Sequence, residues 1–390
     1  MFRFKLGPVR ARRRDGSRSH KRVRGAAWLG LIVAAAVLVA AGTVGGGASG
    51  KSDKPVAVAK PAQASGFVTS SGPLDPAAAV RYWTRSRMAQ AQPVPAPAVP
   101  NASGGAPAAS STESPHSGDG WAPSNIREGP IGGSATQEGI GSTQVECYRC
   151  PIPFTGWYYF PRYRTYPAST VAKIFFTQGA GNFVCSGSVL YTNVVDTAGH
   201  CVNQGNGGPW STNVLVCPSY NAGINPAVGC WGAAGLTSWS QWTNAGGGII
   251  EEDYGSITTS ATGTVWNNQI GNITGWLGYC WGCGRDQDYW SLGYPQAPPF
   301  DGNYIVVCNS QYGYDDNVNP GWVPALTSIG CHMTGGSSGG PWIIGWAGNN
   351  WLNGHNDWKF NATPNAMQSP YYGSHWCAVT TAAGRNVGPC

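Results

Sequence analysis

Phe183-Val184-Cys185-Ser186-Gly187-Ser188-Val189-Leu190 is followed, after Tyr191-Thr192-Asn193, by Val194-Val195-Asp196-Thr197-Ala198-Gly199-His200-Cys201. Both stretches read as short strands, because apolar β-branched residues fill them and turn-forming residues bound them. The second strand runs into a Thr-Ala-Gly turn that carries a histidine and a cysteine side by side. Each strand has one cysteine, so a Cys185–Cys201 staple would hold the imidazole against a rigid scaffold, as a functional side chain needs. A buried structural histidine is the other reading of His200. Similar runs recur outward, at 171–177, 212–216, 254–259, 263–266, 271–277, 303–307 and 342–344. No long helical period interrupts them. One sheet with so many strands would curl or split. The expected class is therefore all-β, as two packed barrels or a large sandwich.

Composition agrees. Only 11% of the 390 residues are charged, while there are 57 glycines, 18 tryptophans and 17 tyrosines. A helical protein would carry more Ala, Leu, Glu and Lys; this mixture suits short strands joined by many turns. The net charge of +6 belongs to one end of the chain. Residues 1–24 hold ten of the 24 Lys and Arg and one acid, Asp15, which leaves 14 basic and 17 acidic residues elsewhere, a net of −3. The basic tail is a topogenic cluster rather than a nucleic-acid surface, and no nucleic-acid partner is expected.

The basic region, 1–25, precedes an uncharged apolar run at 26–44. Positive charge before such a run keeps the N-terminus in the cytoplasm and sends the remainder outward. The run is long for a signal-peptide core and long enough to span a bilayer. Export with cleavage is the first expectation, with a retained membrane anchor as the alternative. Residues 45–141 are rich in Ala, Pro, Gly and Ser, with a polyproline-like Pro93–Pro100. They read as a linker or a pro-region, mostly disordered, with one short helix near 77–91. All twelve cysteines lie at or after Cys147. An even number in the exported part reads as disulfides formed in an oxidising compartment.

Far downstream lies Gly335-Gly336-Ser337-Ser338-Gly339-Gly340-Pro341. Glycine reaches backbone angles closed to other residues, so this segment can turn tightly, push one hydroxyl outward and aim backbone N–H groups at the same point. Acyl transfer needs that arrangement. A serine hydroxyl also needs a base, and histidine suits the role near neutral pH. Of six histidines, His20 and His116 lie in the leader and linker, and His332, His355 and His375 lie near the C-terminus. His200 stands apart through its strand-and-cysteine setting.

Thr197-Ala198-Gly199-His200-Cys201 together with Gly336-Ser337-Ser338-Gly339-Gly340-Pro341 resembles the trypsin/chymotrypsin family of serine proteases, and in particular its secreted bacterial branch of glutamyl-endopeptidase-like enzymes. Tyr166-Pro167 leading to Val171–Phe176, and Cys331-His332-Met333-Thr334 before the glycines, resemble that branch too. The resemblance covers residues 166–358. It implies two six-stranded antiparallel β-barrels, here 142–265 and 266–390, with the site in the cleft between them. It also implies a triad. The carboxylate should lie between His and Ser in chain order with a strand-like sequel, and Asp253-Tyr254-Gly255-Ser256-Ile257 fits. Asp196 is too close to His200; Asp286, Asp288 and Asp301 lack the sequel; Glu251 and Glu252 are adjacent competitors. The nucleophile would be Ser338, directly before Gly-Gly-Pro, with the Gly336 and Ser338 N–H groups as the oxyanion hole. At the position before the nucleophile, trypsin-type zymogens carry an Asp that pairs with a new N-terminus. Ser337 has no charge to offer, so activation of that kind is not expected.

Specificity is weakly written. Met333, Thr334 and His355 are candidates for the substrate pocket; His355 would favour an acidic side chain, whereas Asp357 would favour a basic one. Cys217–Cys230, Cys308–Cys331 and Cys377–Cys390 are expected pairs by proximity. Cys147/Cys150 and Cys280/Cys283 are C-x-x-C pairs, read as disulfides with a four-thiolate zinc site as the alternative. Fifteen of the eighteen tryptophans follow residue 141, and they pack a core or stack on ligands. The leading expectation is a monomeric, exported serine endopeptidase, made as a precursor, acting on protein or peptide without a cofactor or metal. A catalytically inactive binding module and an aromatic-rich polysaccharide-binding β-protein are the alternatives.

Overall fold

A computed structural model describes residues 66–70, 72, 74–94, 112–126, 145–147, 150–160, 162–319 and 321–390. The basic region at 1–25 and the apolar run at 26–44 lie outside the described residues. Among the described residues no helix is long and apolar enough to cross a membrane.

In chain order the first elements are β1 (Phe67–Thr69), α1 (Pro76–Tyr82), α2 (Arg85–Gln90), β2 (Gln92–Pro93), β3 (His116–Gly118), β4 (Val145–Cys147) and β5 (Phe154–Tyr158). Then come β6 (Val171–Gln178), β7 (Gly181–Val189), β8 (Val194–Ala198), α3 (Gly199–Val202), β9 (Thr212–Pro218), β10 (Trp231–Trp239), α4 (Ser240–Thr243) and β11 (Tyr254–Thr259). The C-terminal half holds α5 (Ile270–Thr274), β12 (Gly278–Trp281), β13 (Asp288–Gly293), β14 (Val306–Asp316), β15 (Leu326–Gly330), β16 (Pro341–Ile344), β17 (Trp351–His355), β18 (Ala366–Ser369) and α6 (Ser374–Ala382).

Six strands close into an antiparallel barrel in the order β10-β11-β8-β7-β6-β9, with β9 returning to β10. A strand alternates its side chains between two faces, and β6 has both faces buried. Ala172, Ile174 and Phe176 join one core cluster, whereas Val171 and Phe175 join another. The second sheet runs β18-β15-β14-β13-β16-β17-β12-β3. Its pairs are antiparallel except β12 with β17. β5 adds to β14 and β4 to β5, so a cut at 265/266 does not separate the two sheets: 145–158 sits with the C-terminal one.

The N-terminal stretch is also more involved than its composition implies. α1 is capped by Asp75, whose Oδ1 accepts from Ala78 N at 2.9 Å, and Pro76 opens it. Trp83, Met88 and Ala91 are buried in the main core. Trp83 Nε1 donates to Asn213 O at 2.5 Å and its ring meets Phe175. Residues 74–94 thus contribute apolar side chains to the barrel, and the expectation of a linker with little to bury needs correcting there. A few large residues suffice to dock a segment when the barrel supplies the rest of the contact. Two expected strands are absent as well. Residues 263–266 form a bend, and 271–277 begins inside α5, where Ile270 and Thr274 are buried one helical turn apart and Gly275 at φ +73° ends the helix.

All twelve cysteines pair: Cys147–Cys150, Cys185–Cys201, Cys217–Cys230, Cys280–Cys283, Cys308–Cys331 and Cys377–Cys390. The two C-x-x-C motifs close on themselves, which leaves no thiolates for a shared zinc site.

Candidate active site

β8 and β11 pair with Ala198 opposite Tyr254 and Thr197 opposite Gly255. That register carries the start of β11 to the start of α3, where Gly199 N donates to Asp253 O at 2.9 Å. Asp253 is then held against His200 twice. Its Oδ1 accepts from His200 N at 2.6 Å, and its Oδ2 lies 2.7 Å from His200 Nδ1. Gly199 is required at the approach, because a Cβ there would meet Asp253 Oδ1 at 2.5 Å. Burial pulls the His200 imidazole down, but the Asp253 carboxylate outweighs it and holds the ring raised, at about 10.

Asp253 is separated from its competitors by their partners. Glu251 Oε1 accepts from Val318 N and Asn319 N. Glu252 accepts from Trp322 Nε1 and holds His375 Nδ1. Asp196 is buried behind the barrel strand, bound by Tyr372 Oη at 2.6 Å and Trp376 Nε1 at 2.8 Å.

The glycine-rich loop before β16 faces His200 across a cleft of about 320 Å³ whose lining includes His200, Asp253, Met333, Thr334, Ser338 and Lys359. Ser186 anchors this loop: its Oγ donates to Gly336 O at 2.9 Å, and its N–H to Ser338 O at 2.7 Å. Ser186 follows Cys185, so the disulfide to Cys201 ties the anchor of the glycine-rich loop to the residue beside His200. Asn356 supports the loop from below, donating to Ser337 O at 3.3 Å and accepting from Trp342 Nε1 at 2.9 Å. Gly336 adopts φ +98° and Gly339 φ +80°. Among the described residues, neither the Gly336 nor the Ser338 N–H donates to a protein acceptor. Ser337 is buried and donates to Thr334 O at 2.9 Å. It shapes the loop through a neutral hydrogen bond.

The candidate pocket residues divide. Met333 and Thr334 line the cleft. His355 does not: it is fully buried, with Nδ1 2.8 Å from Tyr372 Oη and 3.8 Å from Asp196 Oδ2. Burial lowers its pKa to about 3. A neutral, sealed imidazole cannot meet a substrate carboxylate, so His355 is a core residue. Asp357 does line the cleft, with its Oδ1 3.5 Å from His200 Nδ1. Lys359, which the sequence reading passed over, does line the cleft. Its Nζ donates to Cys331 O at 2.9 Å and Met333 O at 2.8 Å. The N-terminal segment reaches the same place: β2 pairs with β7, Val94 lines the cleft, and Gln296 Nε2 donates to Ala91 O at 2.5 Å.

His200, Asp253 and Asp357 bring one ring nitrogen and two carboxylate oxygens within 4.8 Å of one another, a spacing that can hold a cation. An ion there would displace the hydrogen bond between His200 Nδ1 and Asp253. The comparisons bear on this choice. Residues matching 56% of this chain align with 98% of a thermostable serine protease from an extremophilic microorganism, at 31% identity and TM-score 0.50. The protease Anisep from Arthrobacter nicotinovorans matches at 34% identity and TM-score 0.50, over 56% of this chain and 96% of that one. An extracellular metalloprotease of Bacillus subtilis is 29% identical over 114 residues, which are 29% of this chain and 33% of that protein; the chain spans a third of this curated relative. No family model matches. The chain belongs to the serine proteases of chymotrypsin-like fold.

Proposed function

We propose that this protein is an exported serine endopeptidase in which Ser338 attacks the scissile carbonyl, His200 takes its proton and Asp253 orients the imidazole. The observation that carries the reading is the pair of short contacts from Asp253 to His200 beside a loop whose Gly336 and Ser338 N–H groups are unspent. His200 Nδ1–H donates to Asp253, which leaves Nε2 as the base. The attack forms a C–O bond to Ser338 Oγ, and the two N–H groups receive the oxyanion. The imidazolium then protonates the leaving amine as the C–N bond breaks, and water deacylates the serine by the same steps.

Lys359 adds a substrate class. An ammonium carries three donors, and two of them meet neutral carbonyls. Burial lowers its pKa to about 7, the cost of a cation with no carboxylate beside it. Asp253 and Asp357 are turned to His200, so a glutamate or aspartate side chain of the substrate is the group that completes the pocket. A peptide with glutamate at the cleaved position should react on the order of ten- to a hundredfold faster than its glutamine isostere. Lys359→Met should remove that difference, and an equal loss for both peptides would count against it.

The primary test is labelling of the folded chain by a phosphonate that reacts with activated serines. Wild type should label and Ser338→Ala should not. Turnover that survives Ser338→Ala but stops with a chelator would replace the serine mechanism by a metal one at His200, Asp253 and Asp357.

A further inference from the structure

Two parts of the chain share one edge of β7. The strand pairs with β6 from Gly181 to Ser188 on one side, whereas β8 covers the other side only at Ser188 and Val189. Before Ser188 that second edge turns to the cleft. Ser186 N donates there to Ser338 O at 2.7 Å. Neighbouring residues of a strand offer their N–H and C=O groups to opposite edges, so Val184 faces the same way as Ser186. The partner waiting for Val184 is β2, which runs parallel with Pro93 opposite Val184 and Gln92 opposite Phe183. Two residues of strand, roughly 7 Å, separate that pairing from the Ser338 contact. β2 is fixed in place. Tyr82 Oη donates to Asn182 Oδ1 at 3.0 Å, and the buried Ala91 accepts from Gln296 Nε2 at 2.5 Å. Val94 continues into the cleft and packs against the cluster that holds Cys185 and Cys201.

A peptide bound across Ser338 has two halves. The acyl half lies toward Met333 and Lys359. The leaving half must pass His200, because its amine takes the imidazolium's proton, and Cys201 beside His200 is bonded to Cys185 of β7. It therefore heads along the free edge of β7, where an extended chain gains backbone hydrogen bonds, and it meets β2 after about two residues. Pro93 has no N–H to pass to another strand, so β2 ends the edge rather than extending it. Ser338 itself stays partly exposed. We propose that residues 91–94 limit the length of the leaving half: with β2 seated the site releases short C-terminal pieces, and internal bonds of a longer chain are cut only once β2 leaves the edge of β7. This rests on the peptidase reading of the site.

The test uses two C-terminally amidated peptides that share an acyl half ending in glutamate and carry one or four residues after it. Wild type should favour the short peptide by about tenfold or more in kcat/KM. Gln92→Gly combined with Pro93→Gly loosens β2 but leaves Trp83, Met88 and Ala91 in the core. It should raise kcat/KM for the long peptide by about tenfold or more and keep the short one within about twofold of wild type. Trp83→Ala, assayed at a temperature where it is still folded, should move the ratio the same way. The proposal fails if wild type cuts both peptides equally well, or if the loosened variants leave the ratio unchanged. Calorimetric binding of the same peptides to Ser338→Ala reads the length limit without turnover. The long peptide should bind about tenfold more weakly than the short one and recover when the glycine pair is added. Equal affinities in Ser338→Ala alone overturn the proposal whether or not wild type cuts any peptide, which separates its failure from that of the peptidase reading.

Discussion

In the proposed mechanism His200 must be neutral to take the Ser338 proton. Since Asp253 holds the ring above its ordinary value, kcat/KM should rise with pH and its acid limb should lie above that of a free histidine. Asp253→Asn removes the raising charge, so the limb should move to lower pH while the maximum falls on the order of 10⁴-fold; a limb that stays fixed would mean another group sets it. The loop's glycines are open to an equally local test. Gly339 at φ +80° has no space for a side chain, because a Cβ would collide with Thr197 Oγ1 and Ser186 O. Gly339→Ala should cost about 1 to 3 kcal/mol in chemical denaturation, from the strained backbone alone, and should slow phosphonate labelling as the loop shifts.

At the scale of elements, the segment from α1 to β2 behaves as part of the peptidase. Trp83 fills a gap beside Phe175 and spends its N–H on Asn213 O. Trp83→Ala should lower stability by about 3 to 5 kcal/mol, measured by urea unfolding. A change below about 0.5 kcal/mol, the usual reach of a surface substitution, would show that the segment is only laid on the barrel. The strands themselves were largely legible. The runs at 171–177, 182–190, 194–197 and 254–259 carry β-branched residues between turns, and they coincide with β6, β7, β8 and β11. Residues 271–277 misled because Ile273 and Leu277, four apart, suit either period, whereas Ile270 and Thr274 are buried one helical turn apart in α5.

At the scale of the whole molecule, six disulfides tie a chain with few charges and many turns. Cys185–Cys201 closes a loop of sequence separation 16, and its removal by a Cys→Ser pair should cost about 3 kcal/mol by loss of the constraint on the unfolded chain. Because that bond also joins Ser186's strand to His200, activity should fall further than stability explains, which labelling at a temperature where the variant is still folded would show. The sequence by itself determined the all-β class, the even cysteine set, the glycine loop around Ser338 and the setting of His200. Those follow from local chemistry: β-branched runs, turn residues and one hydroxyl among glycines. The tertiary structure alone decided that His355 is sealed under Tyr372, that Asp357 turns to His200, and that Lys359 reaches the cleft between Cys331 O and Met333 O. Neighbouring residues of one extended segment, 355, 357 and 359, meet three different surroundings there. Which neighbour each meets depends on β16, β18 and the barrel packed around them, and no spacing along the chain encodes that.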